Sequence, residues 1–395
     1  MVTFVFSNPK HHVELMVPVA RALARHGAEA RFVSLAELRG FPTPELAFST
    51  RRALPVHVRR DPSIGAGVAT SEGRPTGVRR VAQRVIWRGA LGPRLRWLLR
   101  GSDAVVVPND AAFPYADLAL ALTRGRTPFA LVQEGVRYRI PGERNAAADV
   151  YGTGGAGVVC AWGEAAAAHF VASGVPASSI RVTGNPRFDD VDVAVWRARG
   201  AALVERLGLA CRPLLYLSSP IDDLGFCTTA EKLAMFERFL AAVRPRLAAD
   251  GRGILVKLHP REDAAGFRAI ADAAGPGVVV VGDEPIFSVL GAGDAAVIQM
   301  STVGLEALAF GLPLGVLAIP GHGHVFDYVA SGAARGLALD ESLADGVVGL
   351  LARPRGELEP AAVRFLEHHL AHRGNAAERV AACIADLARG APEES

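Results

Sequence analysis

The chain has 395 residues, half of them hydrophobic, and a formal net charge of +3 at pH 7, and its length predicts two domains because a single core seldom extends so far. No apolar run reaches the roughly 18 residues that span a bilayer, and the first residues lack the features of a signal peptide. Four scattered cysteines argue against a structural zinc site or a disulfide framework, so we expect a cytoplasmic protein.

Apolar runs alternate with helical patterns along the first half of the chain. Strands are predicted at residues 2–7, 30–35, 104–107, 128–133, 157–161 and 180–183, and helices at 12–26, 111–123 and 164–173. The strands are continuous apolar runs, which indicates that both faces of their sheet are covered. We therefore predict an α/β domain with a doubly wound parallel sheet over residues 1–188.

The same alternation restarts after a helix predicted at 193–207. Strands follow at 213–217, 253–258, 278–281, 295–300 and 314–319, and helices at 230–249, 264–274, 287–290 and 303–310. We predict a second Rossmann-like domain over residues 189–375, with the end of a terminal helix and a tail at 376–395. Ligands of such sheets bind beyond the carboxyl ends of the strands, where the polar turns described next occur.

A Ser301-Thr302 pair follows a buried strand and begins a predicted helix. Its hydroxyls and the unpaired N–H groups of a first helical turn favour anions, phosphate above all. Ordinary N-capping explains the pair equally well. Glu306 lies in the same helix, where it could reach a ribose hydroxyl or face solvent.

Two further turns of the second half suit a phosphate. Lys257-Leu-His259-Pro260 follows one hydrophobic strand, and a histidine there could donate to a phosphate oxygen or serve a structural hydrogen bond. Pro260 fixes the turn. Ser218-Ser219 follows another strand and is either a further wall of the same pocket or an ordinary polar turn.

The first half carries a candidate general base at the end of a strand. In Gln133-Glu134-Gly135-Val136-Arg137, Gly135 allows a tight turn that holds Glu134 at the crevice edge. A carboxylate so placed could deprotonate an acceptor hydroxyl. The alternative is an ion pair between Glu134 and Arg137 or Arg139.

Other polar residues give weaker signals. Asn8, His11 and His12 follow the first strand and could line the cleft, as could Arg137. Gly321-His322-Gly323-His324 superficially suggests a metal site, but no third ligand has suitable spacing, so no metal is expected. The sequence contains no Walker-type loop and no nucleophile elbow.

The first half of the chain also contains a basic segment. Residues 51–100 hold twelve arginines against Asp61 and Glu72, and the segment 77–100 mixes arginine with tryptophan and leucine at helical spacing, broken by Pro93. It fits peripheral contact with an anionic membrane at the inner face or with an anionic acceptor, or else a solvated helical face. No nucleic-acid-binding module is recognised.

Together these residues resemble those of GT-B glycosyltransferases, in particular the bacterial sialyltransferases, capsule polymerases and CDP-glycerol glycerophosphotransferases. His259-Pro260 and Ser301-Thr302 match two motifs of that group. Glu134-Gly135 resembles the end of the motif that carries the catalytic base in the sialyltransferases, with Gln133 in place of its first acidic residue. Residues 184–189, Gly-Asn-Pro-Arg-Phe-Asp, resemble the interdomain stretch of non-hydrolysing UDP-sugar 2-epimerases, which share the fold.

The resemblance implies a GT-B fold, in which two Rossmann-like domains face each other across a cleft, with the nucleotide donor in the C-terminal half. It implies a metal-independent, inverting transfer of a sugar or polyol phosphate to a hydroxyl of a glycan, lipid-linked or small-molecule acceptor. Glu134 would be the base, and His259, Ser301 and Thr302 would stabilise the leaving phosphate. No cofactor is expected, and the donor nucleotide is expected to carry cytidine or uridine.

Two other functions fit the sequence. A nucleotide-sugar 2-epimerase or hydrolase on the same fold would need further acid/base residues near the sugar, for which Asp222-Asp223 is a candidate. A non-catalytic, two-lobed nucleotide-sugar-binding protein would bind nucleotide without turnover.

Overall fold

The computed structural model describes residues 1–54, 77–136, 151–260 and 262–390. The chain divides into two compact units, Met1–Asp190 with His368–Ser395, and Val191–Glu367. The domain boundaries inferred from the sequence stay predictions. The residues from His368 onward thus belong to the first unit again.

The first unit is built on a seven-stranded sheet in which every neighbouring pair of strands is parallel. Its strands are β1 (Val2–Phe6), β2 (Ala30–Ser34), β3 (Ser49–Arg52), β4 (Ala104–Val107), β5 (Phe129–Val132), β6 (Val158–Ala161) and β7 (Ile180–Val182). Its first helices are α1 (His11–Arg25), α2 (Gly77–Ile86), α3 (Gly92–Leu98), α4 (Tyr115–Arg124) and α5 (Glu164–Ala172). The order β3-β2-β1-β4-β5-β6-β7 reverses between β1 and β4, which is the switch point where such sheets bind ligands.

The second unit repeats this plan with a six-stranded parallel sheet of order β10-β9-β8-β11-β12-β13. Its strands are β8 (Leu214–Leu217), β9 (Ile254–Lys257), β10 (Val278–Val281), β11 (Ala295–Ile298), β12 (Leu314–Leu317) and β13 (Arg335–Leu337). Its helices are α6 (Val193–Arg206), α7 (Thr229–Ala249), α8 (Ala264–Ala274), α9 (Ile286–Ala292), α10 (Val303–Ala309), α11 (Leu343–Leu351) and α12 (Pro360–His369). The switch point lies between β8 and β11.

Apolar side chains cover both faces of the first sheet. The last helix, α13 (Ala376–Arg389), places Ala377, Val380 and Ile384 at helical spacing into the same core cluster as Phe4 and Met16. A separate cluster on the sheet includes residues of α3, α4 and α5. Both faces are thus buried, which explains why the strands are continuous apolar runs.

The stretch 184–189 fastens α13 to the first unit. Asp189 Oδ1 accepts the backbone N–H groups of Gly374 and Ala376 at 3.0 and 2.9 Å, and its Oδ2 accepts that of Ala377 at 2.5 Å. These are N–H groups of a helix start, which have no partner within the helix. Burial raises the pKa of Asp189, although these hydrogen bonds favour the carboxylate.

No helix in the part of the chain that the structure describes is long and apolar enough to cross a membrane.

Candidate functional site

Polar residues of the first unit follow three neighbouring strands at and beside the switch point. Ser7 and Asn8 follow β1, Asn109 follows β4, and Glu134 follows β5. Parallel strands present their carboxyl ends at one edge of the sheet, so these side chains meet there although they are far apart in the sequence.

Glu134 is held at this edge by two side chains. Its Oε2 lies 2.6 Å from His12 Nε2, and its Oε1 accepts a hydrogen bond of 2.8 Å from Asn109 Nδ2. The His12 side chain is 2% exposed and that of Glu134 is 20% exposed. His12 and Asn109 therefore fix the position of the carboxylate, while the Glu134 side chain remains partly exposed.

The backbone fixes the tautomer of His12. Its Nδ1 lies 3.2 Å from the backbone nitrogens of both Ser7 and Asn8. Amide N–H groups can only donate, so Nδ1 must present its lone pair and the proton sits on Nε2. His12 thus donates its Nε2–H to Glu134.

The surroundings keep Glu134 ionised. Burial alone would raise the pKa of its carboxyl, but His12 and the Asn109 hydrogen bond favour the carboxylate. Together they hold the pKa of Glu134 well below its usual range. At neutral pH the group is therefore a carboxylate.

His11, at the start of α1, has the opposite response to burial. Burial lowers the pKa of its imidazole to about 4, an effect that the Glu134 charge opposes and that His12 and Arg187 reinforce. Asn8 sets the position of His11 by accepting its backbone N–H at 2.9 Å. His11 is therefore uncharged at neutral pH.

This shift predicts a pH-dependent stability. The unfolded chain binds a proton on His11 below pH ~6.5, whereas the folded protein binds it only near pH 4. Between these values the unfolded state holds more protons, so the free energy of unfolding should rise with pH by up to about 1.4 kcal/mol per unit. Urea titrations from pH 4 to 7 measure this slope. His11→Gln should flatten it, and the exposed His368→Gln should not; equal slopes in all three proteins would contradict a neutral His11.

Gly135 and Gln133 shape the loop around Glu134. Gly135 has a φ of +70°, the left-handed conformation that glycine adopts without strain, as the sequence predicted for a tight turn. Gln133 is buried and bonds to the backbone of Trp162 and Gly135 at 2.8 Å each. Gln133 thus joins the ends of β5 and β6, and its amide serves the loop structure. Arg137 and Arg139, predicted to line the cleft or pair with Glu134, lie outside the described residues.

The sequence did not identify Asn109 or Asp110 at this edge. Asp110 is buried, and its carboxylate accepts the backbone N–H groups of Gly152 and Gly154 at 2.7 and 2.8 Å. The signal available was the Pro-Asn-Asp turn directly after β4, which is the position that predicted the other site residues.

At the switch point of the second unit, a buried ion cluster organises the turn that carries His259. Glu262 Oε2 accepts the His259 backbone N–H at 2.6 Å, and Glu262 Oε1 accepts the Ser218 hydroxyl at 2.7 Å. The Lys232 ammonium lies 2.9 Å from Glu262 and 2.5 Å from Asp222. A single lysine of α7, 2% exposed, thus balances two carboxylates. Neither Lys232 nor Glu262 was predicted as a site residue.

Lys257 makes hydrogen bonds that hold the backbone in place. Its Nζ donates to the carbonyl of Leu258 at 3.1 Å and to the carbonyl of Gly282, which follows β10. It therefore joins the ends of two neighbouring strands. His259 is half-buried and Pro260 is exposed in the same turn.

The Ser301-Thr302 turn precedes a short helix. Ser301 Oγ accepts the backbone N–H of Val303 at 3.2 Å, and Tyr328 donates its hydroxyl to the Ser301 carbonyl at 3.0 Å. Tyr328 can approach because Gly304 has no side chain; a Cβ there would lie 2.7 Å from the tyrosine ring. Ser301 thus makes a short-range side-chain-to-backbone hydrogen bond just before the helix, whose N-cap residue is Thr302 and has no capping hydrogen bond from its own side chain. Its helix, α10, has seven residues, which limits any contribution of the helix dipole.

Glu306 is 5% exposed, which excludes the solvent-facing alternative. Asp222, the candidate carboxylate of the epimerase alternative, is engaged with Lys232 and Thr229.

Two buried polar atoms at this edge have no hydrogen-bond partner among the described residues. These atoms are Ser219 Oγ, after β8, and Gln299 Oε1, after the adjacent strand β11. Both residues are 1% exposed, and the Gln299 amide is oriented by a 2.7 Å bond from its Nε2 to Tyr216 Oη. Buried polar atoms are normally satisfied by protein, water or ligand, so each of these two atoms has capacity for a hydrogen bond to a water or a ligand.

Groups of three or more histidine, cysteine, aspartate or glutamate side chains able to hold a metal are absent from the described ranges. His322 and His324 are thus not part of such a group within them.

Several solved structures of similar fold match this chain over nearly its whole length. A UDP-GlcNAc 2-epimerase from Neisseria meningitidis bound to UDP-GlcNAc matches with a TM-score of 0.61 and 12% identity, covering 98% of this chain and 99% of that chain. A UDP-GlcNAc 2-epimerase from Methanocaldococcus jannaschii in complex with UDP-GlcNAc and UDP matches with a TM-score of 0.59 and 13% identity, covering 97% and 99%. No protein-family model matches the chain, and no curated protein matches it significantly.

These matches correct the function predicted from the sequence. The neighbours are 2-epimerases, not sialyltransferases, capsule polymerases or other glycosyltransferases. The prediction of a glycosyltransferase with Glu134 as the base for an acceptor hydroxyl is therefore wrong. The predicted fold is confirmed: the chain has the GT-B-type architecture of two Rossmann-like α/β domains.

Proposed function

We propose that the protein is a nucleotide-sugar 2-epimerase that acts on a UDP-N-acetylhexosamine without a second substrate. The observation that carries the proposal is the likeness, over at least 97% of both chains, to UDP-GlcNAc 2-epimerases that were solved with UDP-GlcNAc. The polar groups at the two switch points support it, because each unit offers residues for one part of the task.

The second unit is proposed to hold the nucleotide. His259 and Pro260 lie on a turn that Glu262 and Lys232 fix, Ser301 and Thr302 begin α10, and Ser219 offers a buried hydroxyl without a partner in the described chain. Lys257, Ser218 and Glu306 support these turns or line them. Hydroxyl and imidazole donors suit diphosphate oxygens, and a carboxylate suits ribose hydroxyls.

The first unit is proposed to supply the proton transfer. Inversion at C2 requires a base that removes the C2 proton while the C1–O bond to UDP breaks, so that the electron pair forms a C1=C2 double bond and UDP carries away the leaving pair. An acid then returns a proton to the opposite face of C2 as the UDP oxygen re-forms its bond to C1. Glu134 is an ionised carboxylate that His12 and Asn109 hold at the carboxyl end of β5. His11 is a neutral imidazole in its electrostatic reach. We assign the base to Glu134 and a place beside the sugar to His11.

The proposal is tested by incubating the protein with UDP-GlcNAc alone and following the sugar signals by proton NMR. We expect the 2-epimer, UDP-N-acetylmannosamine, to appear, and the same final mixture to form when the reaction starts from that epimer. A sugar nucleotide that stays unchanged from both directions, although UDP raises the melting temperature by binding the folded state, would contradict the proposal and favour a non-catalytic binding protein.

A further inference from the structure

One helical segment of the first unit exposes several of its large apolar side chains. It comprises α2, a π-helical turn at Trp87–Leu91, and α3. Its Val81, Val85, Ile86 and Trp97 are 59%, 64%, 44% and 50% exposed, and they are four of nine large hydrophobic residues exposed in the described chain. Isolated residues of this kind are ordinary, whereas a concentration of them marks an interaction surface.

The two ends of the segment differ in how they are packed. Leu91, Leu95 and Leu98 of its second part are buried in the core of the first unit. From Val81 to Ile86, by contrast, α2 has no buried side chain. The segment is thus anchored at one end, while α2 presents its surface to solvent.

The apolar residues of α2 share one side of the helix. At about 100° per residue, Val81, Ala82, Val85 and Ile86 fall within an arc of roughly 140°, with Arg84 outside it. A helix with such a pattern usually buries its apolar arc against a core. Here that arc is exposed.

The segment is also strongly cationic. Residues 73–102 contain eight arginines and no acidic residue. Five of them, at positions 84, 88, 94, 96 and 100, are exposed. The guanidinium carbons of Arg94 and of Arg51 on edge strand β3 lie 4.6 and 5.8 Å from the centre of the Trp97 ring. Arginine and an exposed aromatic ring therefore occur together at the second end as well.

We propose that this basic–apolar surface, formed by Val81, Val85, Ile86 and Trp97 with arginines 84, 88, 94, 96 and 100, docks on an anionic lipid bilayer. The apolar arc enters the boundary between headgroups and acyl chains, and the arginines pair with lipid phosphates. Binding to a bilayer uses both the apolar arc and the arginines. A nucleic acid would neutralise the arginines but would leave the apolar arc in water. The inference does not depend on the proposed epimerase activity.

The test is flotation of the full-length protein with vesicles. We expect binding to vesicles rich in phosphatidylglycerol and no binding to pure phosphatidylcholine. Val81→Asn with Val85→Asn, and separately Arg84→Gln with Arg88→Gln, should each lower the partition coefficient at least about tenfold. Brominated acyl chains should quench tryptophan fluorescence in the wild-type protein, and Trp97→Phe should remove most of that quenching.

Matched variants on α5 and α4 of the same unit, Val171→Asn with Arg124→Gln, change equally exposed side chains and should leave vesicle binding unchanged. Thermal melting checks that each variant is folded. Absence of vesicle binding, equal binding by all variants, or binding to an oligonucleotide without binding to vesicles would each overturn the proposal.

Discussion

Glu134→Gln is expected to lower the rate of epimerisation by about 10²–10⁴-fold, the usual contribution of a positioned general base. The amide cannot take up the C2 proton. It also cannot accept hydrogen bonds at both ends, because its NH2 group would face either the Nε2–H of His12 or the Nδ2–H of Asn109. UDP affinity should stay nearly unchanged, since we assign the nucleotide to residues of the second unit.

The matched control for this variant is Glu37→Gln. Glu37 is also a buried glutamate of the first unit, bonded to Ser34 and Thr43 after β2, and we assign it no part in the reaction. Initial rates by NMR and UDP affinity by calorimetry separate the two variants. Full activity of Glu134→Gln, or an equal loss in Glu37→Gln, would remove Glu134 from the proposed chemistry.

Lys232→Met is expected to lower the free energy of unfolding by about 3–5 kcal/mol, more than any other substitution proposed for this protein. The substitution keeps the length and apolar contacts of the side chain but leaves the carboxylates of Asp222 and Glu262 without their shared counter-charge. Such a buried charge without a partner is costly because it has lost its hydration. The loosened Glu262 would also release the His259 turn, so UDP affinity should fall.

Removing the two carboxylate charges that Lys232 had balanced should restore much of the lost stability. The triple variant Lys232→Met, Asp222→Asn, Glu262→Gln has no buried charge in the cluster and should recover stability relative to Lys232→Met alone. Arg246→Met serves as the surface control, because its ion pair with Asp345 is exposed on both sides and should contribute about 0–1 kcal/mol. Similar urea midpoints for Lys232→Met and Arg246→Met would contradict the account of the cluster.

The strands of both sheets were predictable where they are buried. Continuous apolar runs gave β1, β4, β8 and β11 to within about two residues of their observed ends. The two strands that the sequence missed, β3 and β13, are edge strands with the sequences Ser-Thr-Arg-Arg and Arg-Gly-Leu. An edge strand need not be apolar, so hydrophobic pattern alone does not reveal it.

The places of the candidate site residues in the fold were more predictable than their hydrogen bonding. The rule that ligands meet the carboxyl ends of parallel strands placed His12, Glu134, Ser218 and Ser301 at the switch points. The His12–Glu134 bond joins residues 122 positions apart, and Lys232 lies in an ordinary helical pattern. Such partners are set by tertiary packing, which local sequence does not encode.

The error in predicted function has a physical origin too. Short motifs such as His259-Pro260 describe how a strand of this fold ends, and one fold serves several chemistries. The stretch 184–189, which resembles the interdomain stretch of 2-epimerases, indicates the alternative that the structural neighbours favour. In the structure Asp189 of that stretch caps α13, a role in the fold that carries no information about the reaction.

Exchange of the C2 proton with solvent tests the central claim most directly. The protein is incubated with UDP-GlcNAc in D2O, and the recovered sugar nucleotides are examined by NMR and mass spectrometry. We predict that deuterium enters at C2 in both epimers with wild-type protein and that Glu134→Gln suppresses this exchange. Sugar nucleotide recovered without deuterium at C2, from wild-type protein that demonstrably binds UDP, would contradict the assignment of a 2-epimerase.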